Sequence, residues 1–483
     1  MAPAETDTYD VVVIGGGPVG ENAADYAIRN SDRTAVIVEH QLVGGECSFW
    51  ACMPSKALLG PGAALATARG LPGARERVTQ ASPDPAAVIG WRDTVTHGRD
   101  DTSQIEWARG AGIDVVRGHA RIVGERTVEV GERRLTARHA VVVATGSVAS
   151  IPPIDELREA LPWTSRDATN VVEVPERVVI LGGGVVACEA ATWLLDLGVA
   201  ELTMVVRGER LLPKAELFAS AAIADALGER GARVRFGCQI SAVQRPDAAD
   251  TGYGRIHGGP CRVTLTDAAG EQELEVDEVL VAAGRSPATR DLGLDRLGIE
   301  AGKPLRVDDH LTVPDHPWLY AVGDANGRVS LTHMGKYQAR VAGEVIAARA
   351  DGRSLEAPRL SASADHDAIP QVVFTRPQLA SVGRTEAQAR ADGVEVQTVE
   401  ADIAVAGSYL HGPDDTGHAN LVIDRARGVV VGATFVGPDI AELVHAATIA
   451  VVGEVPVDRL WHAVPAYPTV SEVWLRLLEA VAP

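Results

Sequence analysis

The residues best placed to do chemistry lie in one segment, Gly44-Gly45-Glu46-Cys47-Ser48-Phe49-Trp50-Ala51-Cys52-Met53-Pro54-Ser55-Lys56. Two thiols five residues apart on a helical turn come close enough to form and break a disulfide. A zinc site asks for further Cys or His ligands in matching pairs, and none is spaced suitably, so no metal is expected. What remains is a reversible two-electron centre, set against the plainer reading of two buried, small apolar side chains. A thiol that follows a strand and opens a helix is also acidified by the helix dipole. Of the five cysteines in the chain, the other three, Cys188, Cys238 and Cys261, fall in helix-like or strand-like runs and are expected to serve packing.

The elements that must position this pair are read from the hydrophobic pattern. Apolar strand-like runs alternate with Ala-rich helical stretches, the signature of α/β domains with parallel sheets. Val11–Ile14 reads as a buried strand, Gly15-Gly16-Gly17-Pro18-Val19-Gly20 as a tight turn, Glu21–Asn30 as a helix and Ala35–Glu39 as the next strand. Gly15, Gly17 and Gly20 let the backbone approach a pyrophosphate at a helix N-terminus, and Glu39 is placed to accept from ribose hydroxyls. The architecture repeats at Arg177, where Val178–Leu181 leads into a turn carrying Gly182, Gly184 and Ala187, then a helix through Leu197 and a strand Leu202–Arg207. Arg207 stands where an NAD-preferring site carries an acid, and Arg210 follows it. A guanidinium pairs with a 2′-phosphate, so NADPH is the expected nucleotide, with NADH the alternative and two plain surface arginines the bland reading. Val141–Ser147 and Val279–Arg285 read as strands ending in small-residue turns, and Trp318–Asp324 as a strand returning to the first domain. Asp351–Asp367 reads as a linker, with a separate α+β domain beyond it.

Lys+Arg 45 against Asp+Glu 65 leaves a net charge of −20, which argues against nucleic acid or an anionic membrane as partner. No apolar stretch approaches the ~20 residues a membrane span needs, and the polar start MAPAETDTYD lacks the marks of a signal peptide. A cytoplasmic protein acting on a small molecule is expected, and in that reducing compartment a close cysteine pair is catalytic sooner than structural.

Taken in order, these motifs resemble the class I pyridine nucleotide-disulfide oxidoreductases, which include dihydrolipoamide dehydrogenase and the glutathione, mycothione and mercuric reductases. The resemblance covers nearly the whole chain. It includes both glycine turns, Cys47 to Lys56, Ala144-Thr145-Gly146, Glu189, Ala283-Gly284-Arg285, Val322-Gly323-Asp324 and Pro468-Thr469-Val470-Ser471-Glu472. It implies two Rossmann-like dinucleotide-binding domains plus a C-terminal α+β dimerisation domain. FAD would be held by 1–150 and 301–350, NAD(P) by 151–300, and the partner chain by 369–483. It further implies that Cys52 lies beside the flavin, that Cys47 attacks substrate, and that Lys56 and Glu189 form an ion pair near flavin N5. Gly118-His119-Ala120 would flank the adenine, with Ala120 its contact, and Asp324 would hold the ribityl chain. Thr332 and His333 would line the pyrimidine. Thr145, Gly146, Gly284 and Gly323 complete the cofactor turns, and the active sites of a homodimer would be shared between chains.

The sequence departs from the family at three places. Tyr467 occupies the position of the catalytic histidine before Pro468-Thr469, although Glu472 is kept. A phenol near pKa ~10 is a poor base at neutral pH, where an imidazole near ~6.5 exchanges protons. Glu46 stands where Thr is usual and is expected to raise the neighbouring thiol's pKa. Phe49 replaces Asn beside Trp50, as inward packing or as an apolar wall at the substrate. The leading expectation is an NAD(P)H-dependent reductase of a small, specialised disulfide. The alternative is a flavoenzyme that reduces a non-disulfide acceptor such as a quinone, an activated carbonyl or an alkene. A third reading is a redox-sensing binding protein with little turnover.

Overall fold

A computed structural model describes residues 6–412 and 416–481. Residues 1–5 of the polar start and the last two residues of the chain lie outside them. The chain divides into two compact units: residues 1–54, 93–149 and 285–365 form the first, and residues 55–92, 150–284 and 366–483 the second.

The first unit is organised on strand Thr6–Ile14, which pairs in parallel with Ala35–Glu39 on one side and Arg133–Val143 on the other. Ile113–Arg117 extends the sheet beyond Ala35–Glu39. His316–Ala321 joins the opposite edge parallel to Arg133–Val143, so the expected return of the chain occurs. Helices Pro18–Ile28 and Thr332–Ala350 pack together over one face. Strands covered on both faces are apolar at every position rather than alternately. Val11, Val12, Val13, Val36, Ile37, Val141 and Val142 are all fully buried.

Segment 351–365 is not a free linker. Leu360 and Ala362 are buried in the core, and the Asp365 carboxylate accepts from Gln338 Nε2 at 2.9 Å. Its polar composition suggested a tether, but two apolar anchors and one buried acid suffice to strap it to the sheet.

In the second unit, Arg177–Leu181 lies between Glu201–Val206 and Glu278–Val281 in a four-stranded parallel sheet, with helix Val185–Asp196 after the glycine turn. Cys261–Asp267 centres a three-stranded antiparallel sheet, and residues 371–437 supply a five-stranded antiparallel sheet. Helix Val473–Glu479 buries Val473 and Leu477 in the core shared with that last sheet. Among the described residues no helix is long and apolar enough to cross a membrane.

Candidate active site

The two cysteines do not share one helical turn. Cys47 lies in the short helix Gly45–Phe49, the chain breaks at Trp50, and Cys52 opens helix Cys52–Gly70. Residues five apart on an unbroken helix are rotated by ~140° and do not face each other. The break is what brings the thiols together. Their side chains interact directly, and Cys52 Sγ lies 3.3 Å from Thr332 Oγ1. The Cys47 thiol is pushed far up, first by its hydrogen bond with Cys52, then by burial and by negative charge on Cys52. Thr332 and the Lys336 ammonium pull the other way.

Glu46 does not drive this shift. Its carboxylate pairs with Arg285 at 3.6 Å, and the guanidinium also donates from Nε to Ser147 Oγ at 2.7 Å. The positive charge offsets the acid that sequence reasoning placed against the thiol. Phe49 and Trp50 are 1% and 7% exposed, with ring centroids 5.9 Å apart, so both pack inward and build no wall at the site.

The cysteine segment is fixed to the first glycine turn by backbone alone. Gly44 N–H donates to Gly16 O at 2.7 Å, and a Cβ on Gly45 would stand 2.7 Å from Gly17 Cα. Gly44 and Gly45 also take φ of +105° and +56°. That pair of glycines is required by close approach and by left-handed backbone together.

The first turn has the form of a phosphate cradle. Gly15 has φ +105°, and a Cβ there would lie 2.4 Å from Ala144 O; one on Gly20 would lie 1.9 Å from Gly15 O. Burial acts to raise the Glu39 carboxyl, but hydrogen bonds from His40, Gln41 N–H and Gly16 N–H outweigh it and hold the group below its ordinary value. Glu39 is thus a fixed anion at the end of its strand. The His119 ring packs against His40 at 4.5 Å between centroids, and Gly118 N–H donates to Glu39 O at 3.0 Å; Ala120 follows, buried, as the first residue of its strand. The Thr145 hydroxyl is buried without a partner, and Gly146 beside it takes φ +69°. Asp324 accepts from Ser147 Oγ, and Gly323 N–H donates to Gln338 Oε1 at 2.8 Å. His333 is exposed one residue beyond Thr332. A glycine-lined turn, a fixed anion and an orphaned hydroxyl fit a bound dinucleotide.

In the second unit Gly182 takes φ +135°, and a Cβ there would meet Ala282 O at 2.4 Å, while Gly184 faces open space. Ala187 is fully buried and lets the helix close on its strand. Gly284, at φ +131°, ends the neighbouring strand-turn. Arg207 is exposed, whereas Arg210 is tied to the carbonyls of Pro213 at 2.5 Å and Ala215 at 3.3 Å. Lys56 Nζ bonds Glu189 Oε2 at 2.7 Å, and Phe374 N–H donates to Glu189 Oε1 at 2.9 Å. The ammonium also lies 4.8 Å from the Phe374 ring centroid. Cys188, Cys238 and Cys261 are buried; burial pushes the Cys188 thiol up to about 12 and that of Cys261 to about 11. Tyr467 is 78% exposed among other exposed apolar side chains, Trp461 and Val464, while Glu472 pairs with Arg476 at 3.2 Å.

The description "pyridine nucleotide-disulphide oxidoreductase" matches residues 9–339, and that family's dimerisation domain matches residues 369–478. The chain belongs to this family. Members are FAD- and NAD(P)H-dependent flavoprotein oxidoreductases with a redox-active disulfide, and they pair through the C-terminal domain. The chain is 32% identical to a mercuric reductase of Streptomyces lividans, covering 96% of this chain and 94% of that one. It is 28% identical to the dihydrolipoyl dehydrogenase of Bacillus subtilis over 99% and 96% of the two chains. Its fold matches that of the HOCl-induced flavoprotein disulfide reductase RclA of Escherichia coli with a TM-score of 0.80, at 22% identity, covering 98% and 100%.

Sequence reasoning missed several residues of this site. Arg285 appeared only as a motif letter, and Ser147, Gln338 and Lys336 gave no signal, because their roles arise from contacts between segments far apart in the chain.

Proposed function

We propose that this oxidoreductase is a homodimeric NADPH-dependent reductase of a small disulfide, with Cys47 as the attacking thiol and Cys52 as its partner. The observation that carries this reading is the approach of the two thiols across the break at Trp50, with Cys52 Sγ 3.3 Å from Thr332 Oγ1.

Gly15, Gly17 and Gly20 would seat the FAD pyrophosphate at the N-terminus of helix Pro18–Ile28, with Glu39 on the ribose and the 118–120 backbone at the adenine. Asp324, Gly323, Thr145 and Gly146 would hold the ribityl chain and ring, and Thr332 and His333 the pyrimidine edge. FAD, when bound, accepts hydride from the nicotinamide and passes two electrons to the disulfide. Gly182, Gly184, Ala187 and Gly284 would receive the nucleotide, and Arg207 the 2′-phosphate. Lys56, held by Glu189, would supply a fixed positive charge to the flavin. On the reduced centre, Cys47 thiolate attacks one sulfur of the substrate and the other leaves as thiol. Cys52 thiolate then attacks Cys47, restores the internal disulfide and releases the second thiol. Tyr467 and Glu472 would come from the partner chain, with the phenol as a hydrogen-bond donor rather than a base.

Anaerobic titration with dithionite and then NADPH tests the centre. Four electrons taken up per FAD, with long-wavelength absorbance at the midpoint, is the expected result. Cys47→Ser should abolish disulfide turnover while NADPH still bleaches the flavin. Two-electron uptake, or turnover that survives Cys47→Ser, would move the non-disulfide acceptors into first place. The substrate panel begins with disulfides and includes mercuric ion, since relatives at similar identity bear that name.

A further inference from the structure

The chemical character of the disulfide is narrowed by the helix that touches Cys52. From the side chains of helix Thr332–Ala350 we infer that Lys336 and Arg340 recognise an anionic group on the substrate, so that the preferred disulfide carries a carboxylate near its sulfurs, an assignment that rests on the disulfide reading proposed above.

Residues four apart on a helix lie one above the other, so Thr332, Lys336 and Arg340 share a face. Burial follows that geometry. Lys336 and Arg340 are exposed and Thr332 is half-buried, whereas Met334, Gly335, Gln338 and Ala339 are buried. Thr332 sets this face at the dithiol, because its Oγ1 lies 3.3 Å from Cys52 Sγ. Each further turn advances ~6 Å along the axis, so the two cations follow Thr332 in a stripe that starts beside the sulfurs. The nearer of them, the Lys336 ammonium, draws the Cys47 thiol down.

An exposed Lys or Arg is ordinarily a solvated surface group. What sets these two apart is that their own chain does not neutralise them. In the same stretch Arg328 pairs with Asp309 at 2.9 Å and Asp365 at 3.4 Å, and Arg353 with Asp351 at 3.2 Å. Arg349 donates to the Tyr320 hydroxyl at 2.6 Å and to Pro317 O at 3.0 Å. Among the described residues Lys336 and Arg340 make no hydrogen bond or ion pair, and the Arg340 guanidinium lies 5.9 Å from the Tyr337 ring centroid. The acid one turn beyond Arg340, Glu344, is taken by Arg359 at 3.0 Å. Glu21, on the helix packed against this one, feels the Lys336 charge without pairing with it.

The chain as a whole carries a net charge of −20, so two adjacent cations left unanswered at the dithiol form a local positive field in an acidic protein. Such a field gathers anions at the sulfurs and turns cations away. An ammonium holds a carboxylate as a point charge, and a guanidinium holds it through its fork of N–H donors.

Three small disulfides of matched length and different charge test the assignment on the holoenzyme with NADPH: dithiodipropionate, bis(hydroxyethyl) disulfide and cystamine. At low ionic strength kcat/KM should fall in that order, with ~10-fold between the anionic and the cationic substrate, and the spread should shrink in about 0.5 M salt. Lys336→Met should lower the anionic-to-neutral ratio ~3-fold, Lys336→Met/Arg340→Met should abolish the preference, and Lys336→Arg should keep it. A second readout compares alkylation of Cys47 in the reduced protein by iodoacetate and by iodoacetamide. Both reagents require the thiolate, so the ratio of their rates does not depend on the thiol's pKa and reports the field at the sulfur. That ratio should fall ~3-fold in Lys336→Met and hold in Lys336→Arg. An alkylation ratio equal in wild type and the double variant would overturn the assignment. So would a wild-type preference for cystamine, or losses in Lys336→Met that fall equally on all three disulfides. Absence of turnover with every disulfide would sink the disulfide reading instead, and the alkylation ratio, which needs no substrate, would still decide whether the two cations draw an anion to Cys47.

Discussion

Replacing Lys56 by Met isolates the charge that the second unit holds at its helix Cys52–Gly70. The Glu189 side chain is only 6% exposed, and its two oxygens are satisfied by Lys56 at 2.7 Å and Phe374 N–H at 2.9 Å. Removing one partner of a buried pair typically costs ~3–5 kcal/mol, because the remaining charge is left without compensation. Two features place this case at the low end. Phe374 N–H still serves Oε1, and the Lys56 side chain is 38% exposed, so water can reach part of the vacated space. A loss of ~3 kcal/mol corresponds to a fall of roughly 6 °C in the melting temperature of a unit of this size, taking ~2 °C per kcal/mol. Glu189→Gln alone keeps an acceptor for Phe374 and should cost less. The double substitution Lys56→Met/Glu189→Gln removes both charges and should recover to within ~1 kcal/mol of wild type. The assay is thermal unfolding followed by tryptophan fluorescence, with the rate of flavin bleaching by NADPH measured in parallel. Stopped-flow bleaching should stay slow in the double variant although stability returns, which separates structural from chemical use of the lysine. The reasoning fails if Lys56→Met melts with wild type, or if the double variant melts as low as Lys56→Met.

Alkylation of the reduced native protein at pH 8 should modify Cys47 and Cys52, which are only part-buried, and leave the fully buried Cys188 and Cys261 untouched. Peptide mapping before and after unfolding checks this. Arg207→Ala should lower kcat/KM for NADPH ~10-fold relative to NADH, whereas Arg210→Ala should change that ratio less, because its guanidinium already serves the Pro213 and Ala215 carbonyls. Glu21 gives a pH signature in stability. Its folded pKa of about 7 lies above the ordinary 4.5, so the native state binds the extra proton and stability falls as pH rises through that window. The loss is complete above about 7 and amounts to at most ~3 kcal/mol, so Glu21→Gln should be more stable than wild type at pH 8 and lose that advantage near pH 4.5. Chemical denaturation at the two pH values decides it.

Most of the fold could be read from local pattern because the sheets are parallel and covered on both faces. Runs such as Val11–Ile14 and Val141–Val143 then announce themselves as continuous apolar strands, and each glycine turn is confined to six residues. The redox pair was equally legible, being a short-range feature. What escaped were properties made by contacts across long stretches of chain. The Cys47–Cys52 approach depends on a break at Trp50 that helical periodicity does not announce. The neutral effect of Glu46 depends on Arg285, more than two hundred residues away. The strap 351–365 looked like a tether because its few anchoring residues, Leu360, Ala362 and Asp365, are sparse among polar neighbours.

These misses share a cause that bears on how the centre works. A dithiol that must ionise is hindered by every negative charge near it, and this chain places several acids around its cofactor turn and cysteine segment. Glu46 is answered by Arg285, Glu39 by two backbone N–H groups and a histidine, and Asp324 by a hydroxyl. The Lys336 ammonium acts in the opposite sense, drawing down both the Cys47 thiol and the Glu21 carboxyl. The contacts that answer Glu46 and Asp324 join segments far apart in the chain, so the charge around the cysteine segment is set by the fold and not by the local sequence.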